Sequence, residues 1–147
     1  MSSLDAHQIP KELARGVCRA LAHLGFATLT EVPLVSRRRV DVMGLGRDGT
    51  VVIIEIKSSV ADFRADHKWP EYQGFCDRLY FALPPGFPQE IMPSKPGLIL
   101  ADAFGATILR EAPHEALLPA RRKAVTLRFA RIAARRLQRL LDPLSEG

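Results

Sequence analysis

Residues 38–57 read RRVDVMGLGRDGTVVIIEIK, and this stretch decides the fold of the chain. Two runs rich in Val, Ile and Met, from Arg38 to Leu45 and from Thr50 to Lys57, are typical of β-strands. The residues 46–49 between them, Gly-Arg-Asp-Gly, have the composition of a tight turn. The sequence therefore predicts a β-hairpin, and a hairpin centred on Asp48 places Asp41 directly opposite Glu55.

Three charged side chains interrupt this otherwise apolar hairpin. Directly paired residues of an antiparallel hairpin have Cβ atoms about 5 Å apart on one face of the sheet. Glu55 and Lys57 are two positions apart on one strand and share a face as well. Two carboxylates and one ammonium group are thus expected to converge at the ends of two strands.

Two adjacent carboxylates repel each other unless a cation lies between them. A few hard oxygen ligands that leave room for water and phosphate suit magnesium. The sequence therefore predicts a Mg²⁺ site with Asp41 and Glu55 as ligands, in which Mn²⁺ can substitute. The metal would activate a water molecule and offset charge on a phosphate group. Lys57 would orient or deprotonate that water, or stabilise the transition state.

A simpler alternative is a cross-strand charge cluster on a solvated face. The run Val-Val-Ile-Ile-Glu-Ile-Lys argues against it, because such near-continuous apolar runs are typical of buried strands.

The rest of the chain supplies the elements around this hairpin. A helix is predicted from Pro10 to Gly25, a turn near residues 60–66, and a helix that starts near Trp69. Pro33 indicates that the first strand is an edge strand or is broken. The remaining strands and the last helix are predicted at Phe26 to Val35, Arg78 to Leu83, Gly97 to Ala101, Ala106 to Arg110, and Arg121 to Leu141. This order predicts a mixed α/β sandwich formed by one domain over residues 1–147.

Composition narrows the class of protein. Hydrophobic residues make up 47% and charged residues 25% of the 147 residues, as in globular proteins. No apolar stretch approaches the roughly 18 residues of a membrane span, and the N-terminus does not resemble a secretory signal. Two cysteines are too few for a zinc site and are expected as reduced thiols. We therefore expect a cytoplasmic protein.

The last predicted helix is strongly basic. Residues 121–141 contain eight basic side chains and no acidic one, so the remainder of the chain is net acidic although the total charge is +5. Helical spacing places four of the arginines in one stripe, and these are Arg128, Arg131, Arg135 and Arg139. Apolar residues lie on the opposite face, namely Phe129, Ala133, Leu137, Leu140 and Leu141.

The arginine stripe predicts contacts with DNA phosphates. The alternative is the solvated face of a packed helix. If the stripe does not bind DNA, the next basic group to consider comprises Arg37, Arg38, Arg39 and Lys68.

Four segments of the chain carry a resemblance to a known family. They are Arg38-Arg39-Val40-Asp41-Val42, Glu55-Ile56-Lys57-Ser58-Ser59, Asp66-His67-Lys68-Trp69-Pro70-Glu71-Tyr72, and Cys76-Asp77-Arg78-Leu79-Tyr80-Phe81-Ala82. Over roughly residues 10–110 the chain resembles the MmcB-type DNA repair proteins of bacteria, which belong to the PD-(D/E)xK nuclease superfamily. Val40 stands where the superfamily pattern has proline. The resemblance implies a restriction endonuclease-like α/β core: a helix, a three-strand meander, a helix and further strands, here with a basic C-terminal helix.

The resemblance also implies roles for particular residues. Asp41 and Glu55 would be metal ligands and Lys57 the catalytic lysine. Glu12 on the first helix would join the metal shell, and Gln73 would face the same site. Small nucleases of this type often act as dimers, which leaves a homodimer open.

Simpler interpretations stand beside these roles. Glu12 is equally explained as an acidic residue in the first turn of a helix. Gln73, Asp62, Asp66 and Lys68 are more often solvated polar groups. Trp69 and Tyr72 are expected in the core or in a groove wall rather than as a platform for stacked bases.

Together these features predict a metal-dependent deoxyribonuclease that acts in DNA repair. Two alternatives remain on the same fold. One is a DNA-binding repair accessory protein with weak or no cleavage activity, and the other is an RNA-processing nuclease.

Overall fold

A computed structural model describes residues 8–144. The helices are α1 (Gln8–His23), α2 (Val60–Ala65) and α3 (Pro119–Leu141), with 3₁₀ segments at Trp69–Phe75 and Gln89–Ile91. The strands are β1 (Ala27–Pro33), β2 (Arg39–Leu45), β3 (Val51–Ile56), β4 (Arg78–Leu83), β5 (Gly97–Ala101) and β6 (Ala106–Arg110). The predicted mixed α/β architecture with a basic C-terminal helix is confirmed.

The six strands form one sheet in the order in which they occur along the chain. β1, β2 and β3 form an antiparallel meander, β3, β4 and β5 are parallel, and β5 and β6 form an antiparallel hairpin. β2 and β3 pair in the predicted register, since Val42 lies opposite Ile54 and Leu45 opposite Val51. β1 is an edge strand, as Pro33 indicated.

α1 covers one face of the sheet. Its buried residues Leu13, Val17 and Leu21 share a core with apolar side chains of β2, β3, β4 and β5. Gly16 allows a close approach, because a Cβ atom there would lie 1.9 Å from the carbonyl oxygen of Asp102 in the β5–β6 turn. This contact fixes the height of α1 above the sheet.

α3 and the 3₁₀ helix Trp69–Phe75 cover the opposite face. Val125 and Phe129 of α3 pack with Ile53 and Tyr72 in a second core. α2 packs through Phe63 near Phe81, with ring centroids 5.9 Å apart in an edge-to-face arrangement. Every residue of β3 is buried, which explains its near-continuous apolar sequence.

The helical segments after β3 differ in detail from the prediction. The expected turn near residues 60–66 is the short helix α2, capped by the Ser59 side chain, which accepts a hydrogen bond from the Asp62 amide. The helix expected from Trp69 is a 3₁₀ helix of seven residues, the kind of short connecting segment in which 3₁₀ geometry is common.

The end of α3 extends beyond the body of the protein. Leu137, Leu140 and Leu141 lie opposite the arginine stripe as predicted, but they are exposed, Leu140 by 81%. The packing of apolar α3 side chains against the sheet therefore ends near Ala133. Within residues 8–144, no helix is long and apolar enough to cross a membrane.

Candidate functional site

The β2–β3 hairpin opens where its two carboxylates meet. The regular pairing of the strands ends at Val42 and Ile54. Beyond it, the Asp41 amide donates to Oε1 of Glu55 at 3.0 Å, and the Ile56 amide donates to Oδ2 of Asp41 at 2.7 Å. Each carboxylate thus accepts a hydrogen bond from the backbone of the other strand. The structure brings Asp41 and Glu55 together as the hairpin register predicts.

Both carboxylates are poorly solvated. Glu55 is only 5% exposed. Burial, and secondly the charge of Asp41, raise the pKa of Glu55 well above its ordinary value. Burial also raises the pKa of Asp41, against the opposing effects of the Ile56 hydrogen bond and the Lys57 charge. Neither carboxylate forms a salt bridge with another described residue. The pair is an electrostatically unfavourable arrangement that a bound cation would relieve.

Lys57 is buried beside this pair, but its ammonium group binds other carboxylates. Its Nζ lies 2.7 Å from Oδ2 of Asp66 and 3.9 Å from Oδ1 of Asp62. Asp66 also accepts hydrogen bonds from the amides of Lys68 and Trp69. Burial would raise the pKa of Asp66, but these hydrogen bonds and the Lys57 charge lower it overall.

The interpretation of Asp66 as a solvated turn residue is therefore wrong, because its side chain fixes both Lys57 and the start of the 3₁₀ helix. Asp62 is closer to that expectation, since its side chain is 41% exposed, although it also accepts a hydrogen bond from the Ser58 amide. The only local signal for the role of Asp66 was its place within the family-like segment 66–72.

Gln73 lies on the 3₁₀ helix that packs against this region. Its Nε2 atom is buried and has no hydrogen-bond partner within the described part of the chain. The preceding residue, Tyr72, is buried as predicted. Burial, followed by the charges of Glu55, Asp66 and Asp41, raises the pKa of Tyr72 to about 12. Tyr72, the chain neighbour of Gln73, thus lies within electrostatic range of the three carboxylates, whereas the position of Gln73 at this site stays a prediction.

Glu12 is held on α1 by a long ion pair with Arg15, 3.8 Å between Oε1 and the guanidinium group. Among residues 8–144, no three His, Cys, Asp or Glu side chains lie close enough together to hold a metal ion. The structure thus gathers Asp41 and Glu55 without Glu12, whose role as a ligand stays a prediction.

A cleft of about 330 Å³ opens beside Asp41 on the α1 side of the sheet. Its wall on β1 contains Glu31, which has a positive φ of 51°. The β1–β2 pairing skips this position, passing from Thr30 opposite Val42 to Val32 opposite Val40. Glu31 therefore lies across from Asp41. The sequence did not predict the position of Glu31 opposite Asp41, because the connection between β1 and β2 contains no turn motif that fixes the register of their pairing.

α3 contributes arginines to the free edge of β1. Nε of Arg128 donates to the Pro33 carbonyl at 2.6 Å, and Arg136 donates to the carbonyls of Thr30 and Glu31 at 2.6 and 2.8 Å. The Arg128 side chain thus makes a structural contact with β1. Arg131, Arg135 and Arg139 are exposed and form no hydrogen bond or ion pair with the described residues.

Two residues of the second basic group, Arg38 and Lys68, differ in their contacts. Arg38 pairs with Glu71 at 3.0 Å, whereas Lys68 is exposed at the start of the 3₁₀ helix. Neither the Arg38–Glu71 ion pair nor the exposure of Lys68 tests the predicted role of these two residues in DNA binding.

Arg122 has a different role, which the sequence did not reveal. Its guanidinium group donates two hydrogen bonds to Asp77, at 2.7 and 2.6 Å, and one to the Gly49 carbonyl. Asp77 is completely buried and also accepts from the amides of Val51 and Leu117. This network fastens the start of α3 to the sheet and to the β2–β3 turn.

Comparisons with known proteins identify solved structures and a protein family to which this chain is similar. A solved structure described as a protein of unknown function from Silicibacter pomeroyi is 48% identical, with a TM-score of 0.89 over 99% of this chain and 98% of that one. The crystal structure of a repair endonuclease from Pyrococcus abyssi is 19% identical over 57% of this chain and 39% of that one. Its TM-score of 0.34 is too low to bear on fold or function. No curated protein matches the chain. The family described as "DNA repair protein MmcB-like" matches residues 3–144. The chain therefore belongs to the MmcB-like family of DNA repair proteins.

Proposed function

We propose that the chain is a divalent-metal-dependent deoxyribonuclease that acts in DNA repair. The observation that carries this proposal is the pair of Glu55, which is buried, and Asp41, which is partly buried, with no salt bridge to either carboxylate among the described residues, at the opened end of the β2–β3 hairpin. Burying two such carboxylates side by side destabilises the fold, so the arrangement favours a functional role over a structural one.

The residues present fit a magnesium ion, for which Mn²⁺ can substitute. Carboxylate oxygens are the ligands that Mg²⁺ prefers, and one or two carboxylates with several waters are its usual protein shell. Asp41 and Glu55 would hold the ion, and Gln73 is the further residue that the family resemblance implies for this site. A bound ion would offset negative charge on a phosphate group and lower the pKa of a water molecule.

Lys57 would act beside that ion. Its salt bridge with Asp66 holds the ammonium group in place, and an ammonium group has three hydrogen-bond donors. The remaining donors can orient a water molecule or stabilise the charge that builds up on the phosphate oxygens. A fixed donor of this kind costs no reorganisation during the reaction.

Cleavage assays test the proposal directly. Branched, nicked, single-stranded and double-stranded DNA, with RNA of matched sequence, would be incubated with and without Mg²⁺ or Mn²⁺. The proposal expects metal-dependent cleavage of DNA that is lost in Glu55→Gln and in Lys57→Met, each assayed under conditions in which circular dichroism shows that the variant is folded. Arg47→Gln is a matched control. Arg47 is exposed in the β2–β3 turn, at the far end of the hairpin from Asp41, so this variant should cleave like the unmodified protein. Preferential cleavage of RNA would favour the RNA-processing alternative.

Two observations favour a second candidate function. The described residues bring together two carboxylates rather than three, and Lys57 is bound to Asp66. Both features suit a DNA-binding repair accessory protein with weak or no cleavage. DNA binding without cleavage of any substrate in the panel would support this alternative and contradict the nuclease proposal. A homodimer remains a prediction that sedimentation of the protein with and without DNA would test.

A further inference from the structure

The cleft beside Asp41 has a cationic rim that the proposed catalytic residues do not use. Its sheet side is formed by Thr30, Glu31, Asp41 and Ile56, and its α1 side by Pro10, Lys11, Ala14 and Arg15. We propose that Lys11 and Arg15 bind a phosphodiester group of the DNA strand whose cleaved bond lies at Asp41 and Glu55. This inference rests on the proposed function and extends it to a substrate-binding subsite.

The two cations are placed to act together. Lys11 and Arg15 are four residues apart on α1, a spacing that puts side chains on the same face of a helix. Both line the cleft and both are exposed. One phosphate group between them would accept hydrogen bonds from an ammonium and a guanidinium group.

Neither Lys11 nor Arg15 forms a close ion pair with another described residue. Among residues 8–144, no carboxylate lies within salt-bridge distance of Lys11. Arg15 contacts Glu12 only at 3.8 Å, and its side chain is 61% exposed. An exposed pair of this kind contributes little to stability, so both side chains are available to a ligand.

The walls of the cleft are held in fixed positions. On the sheet side, Arg136 of α3 binds the carbonyl groups of Thr30 and Glu31. On the helix side, Gly16 lies against the Asp102 carbonyl and Val17 is completely buried. The distance between the cationic rim and Asp41 is thus set by packed elements rather than by mobile loops.

The charges of the cleft explain why such a rim is needed. Asp41 and Glu31 line the cleft and would repel the negative backbone of DNA. Cations placed at the rim offset this repulsion and position the strand without reading its bases. The subsite is therefore expected to bind DNA of any sequence, with an affinity that falls as salt increases.

Fluorescence anisotropy with labelled single- and double-stranded oligonucleotides, in EDTA to prevent cleavage, tests the subsite. Lys11→Gln/Arg15→Gln should weaken binding by about tenfold at low salt and flatten the salt slope on duplex DNA by about 1 unit, because the two cations share one phosphate. The charge-conserving variant Lys11→Arg/Arg15→Lys should retain most of the affinity. Arg47→Gln/Lys95→Gln removes the same charge at exposed positions away from α1 and the cleft and should leave affinity and slope nearly unchanged.

The outcomes separate this inference from the function on which it rests. Equal affinity of Lys11→Gln/Arg15→Gln and the unmodified protein, or an equal loss in the Arg47/Lys95 control, overturns the subsite. Metal-dependent cleavage that is lost in Glu55→Gln would still leave the proposed nuclease standing. Absence of DNA binding by the unmodified protein overturns the subsite, and absence of metal-dependent DNA cleavage overturns the proposed function.

Discussion

At the scale of single residues, the decisive feature is the exchange of hydrogen bonds between Asp41 and Glu55. Each side chain accepts from the backbone of the opposite strand, in the place where a regular hairpin would have paired its own amides and carbonyls. A side-chain amide can accept the same hydrogen bond through its oxygen without carrying charge. Amide substitutions therefore separate the geometry of the site from its electrostatics.

Glu55→Gln should stabilise the metal-free protein by about 1 kcal/mol, as is common when a functional site is relieved of strain. The folded-state pKa of Glu55 is raised, so the protein loses stability as pH rises from the ordinary value of 4.5 towards the raised one. The difference in melting temperature between variant and unmodified protein should thus widen with pH. Thermal denaturation in EDTA across this pH range measures it. A variant that melts below the unmodified protein at every pH would mean that the carboxylate is structural.

The Lys57–Asp66 ion pair allows a second prediction. Both side chains are largely buried, and removing one member of a buried pair costs about 3–5 kcal/mol because the other charge is left unpaired. Lys57→Met and Asp66→Asn should each destabilise the protein, and the double variant should cost less than the sum of the two. Urea denaturation of the four proteins gives the coupling energy.

The exposed pair Lys95–Glu115, at 2.8 Å, is the control for this cycle. Its coupling should be below about 1 kcal/mol, since exposed ion pairs contribute little. Additive effects at Lys57 and Asp66 would show that the 2.7 Å contact contributes nothing in solution.

At the scale of secondary-structure elements, α3 is fastened to the sheet through Arg122 and Asp77. Burial alone would raise the pKa of Asp77, but hydrogen bonds from Arg122, Val51 and Leu117 outweigh it and lower the pKa to about 2. The stabilisation is therefore complete above the ordinary pKa of 3.8 and is lost as pH falls towards 2. Asp77→Asn should weaken the protein at neutral pH and remove this part of its acid sensitivity.

Acid titration of the free energy of unfolding, followed by circular dichroism, tests the Asp77 prediction. The curves of the variant and the unmodified protein should converge as pH falls from about 4 to about 2, the range between the ordinary and the lowered pKa of Asp77. Parallel curves over that range would contradict the assigned role.

The exposed arginines of α3 give a prediction of their own. Replacing Arg131, Arg135 and Arg139 by Gln preserves helix propensity and should flatten the salt slope of duplex binding by up to about 3 units. Arg128 is left unchanged because it binds the Pro33 carbonyl. Removing the same charge at Arg47, Arg64 and Lys95, which are exposed outside α1 and α3, is the control. An unchanged slope would mean that this face of α3 is only solvated.

Local sequence patterns predicted those elements whose determinants lie close together in the chain. The turn around Asp48 fixed the pairing of β2 with β3, and the alternation of turn residues and apolar runs fixed the bounds of β4, β5 and β6. The partners of Asp66, Asp77 and Glu31 could not be predicted in this way. Their contacts with Lys57, Arg122 and the cleft depend on how distant elements pack, and the sequence between them contains no periodic signal for that packing.

At the scale of the whole molecule, three parts of the fold contribute to the proposed site: the sheet, the segment after β3, and α1. The sheet supplies Asp41, Glu55 and Lys57. The segment after β3 supplies Asp66 and Gln73, and α1 supplies the rim of the cleft. α3 closes the edge of the sheet next to the cleft. Basic groups of α1 and α3 thus lie on either side of the β1 edge, which is consistent with a DNA strand that crosses it towards Asp41.

The central claim is that Asp41 and Glu55 together bind a divalent cation. Anomalous diffraction from crystals soaked in Mn²⁺ tests it most directly. The account predicts a single strong peak in contact with both carboxylates, and no peak there in crystals of Glu55→Gln. Manganese bound elsewhere, or Asp41 and Glu55 that keep their hydrogen bonds to the backbone with no metal between them, would contradict it.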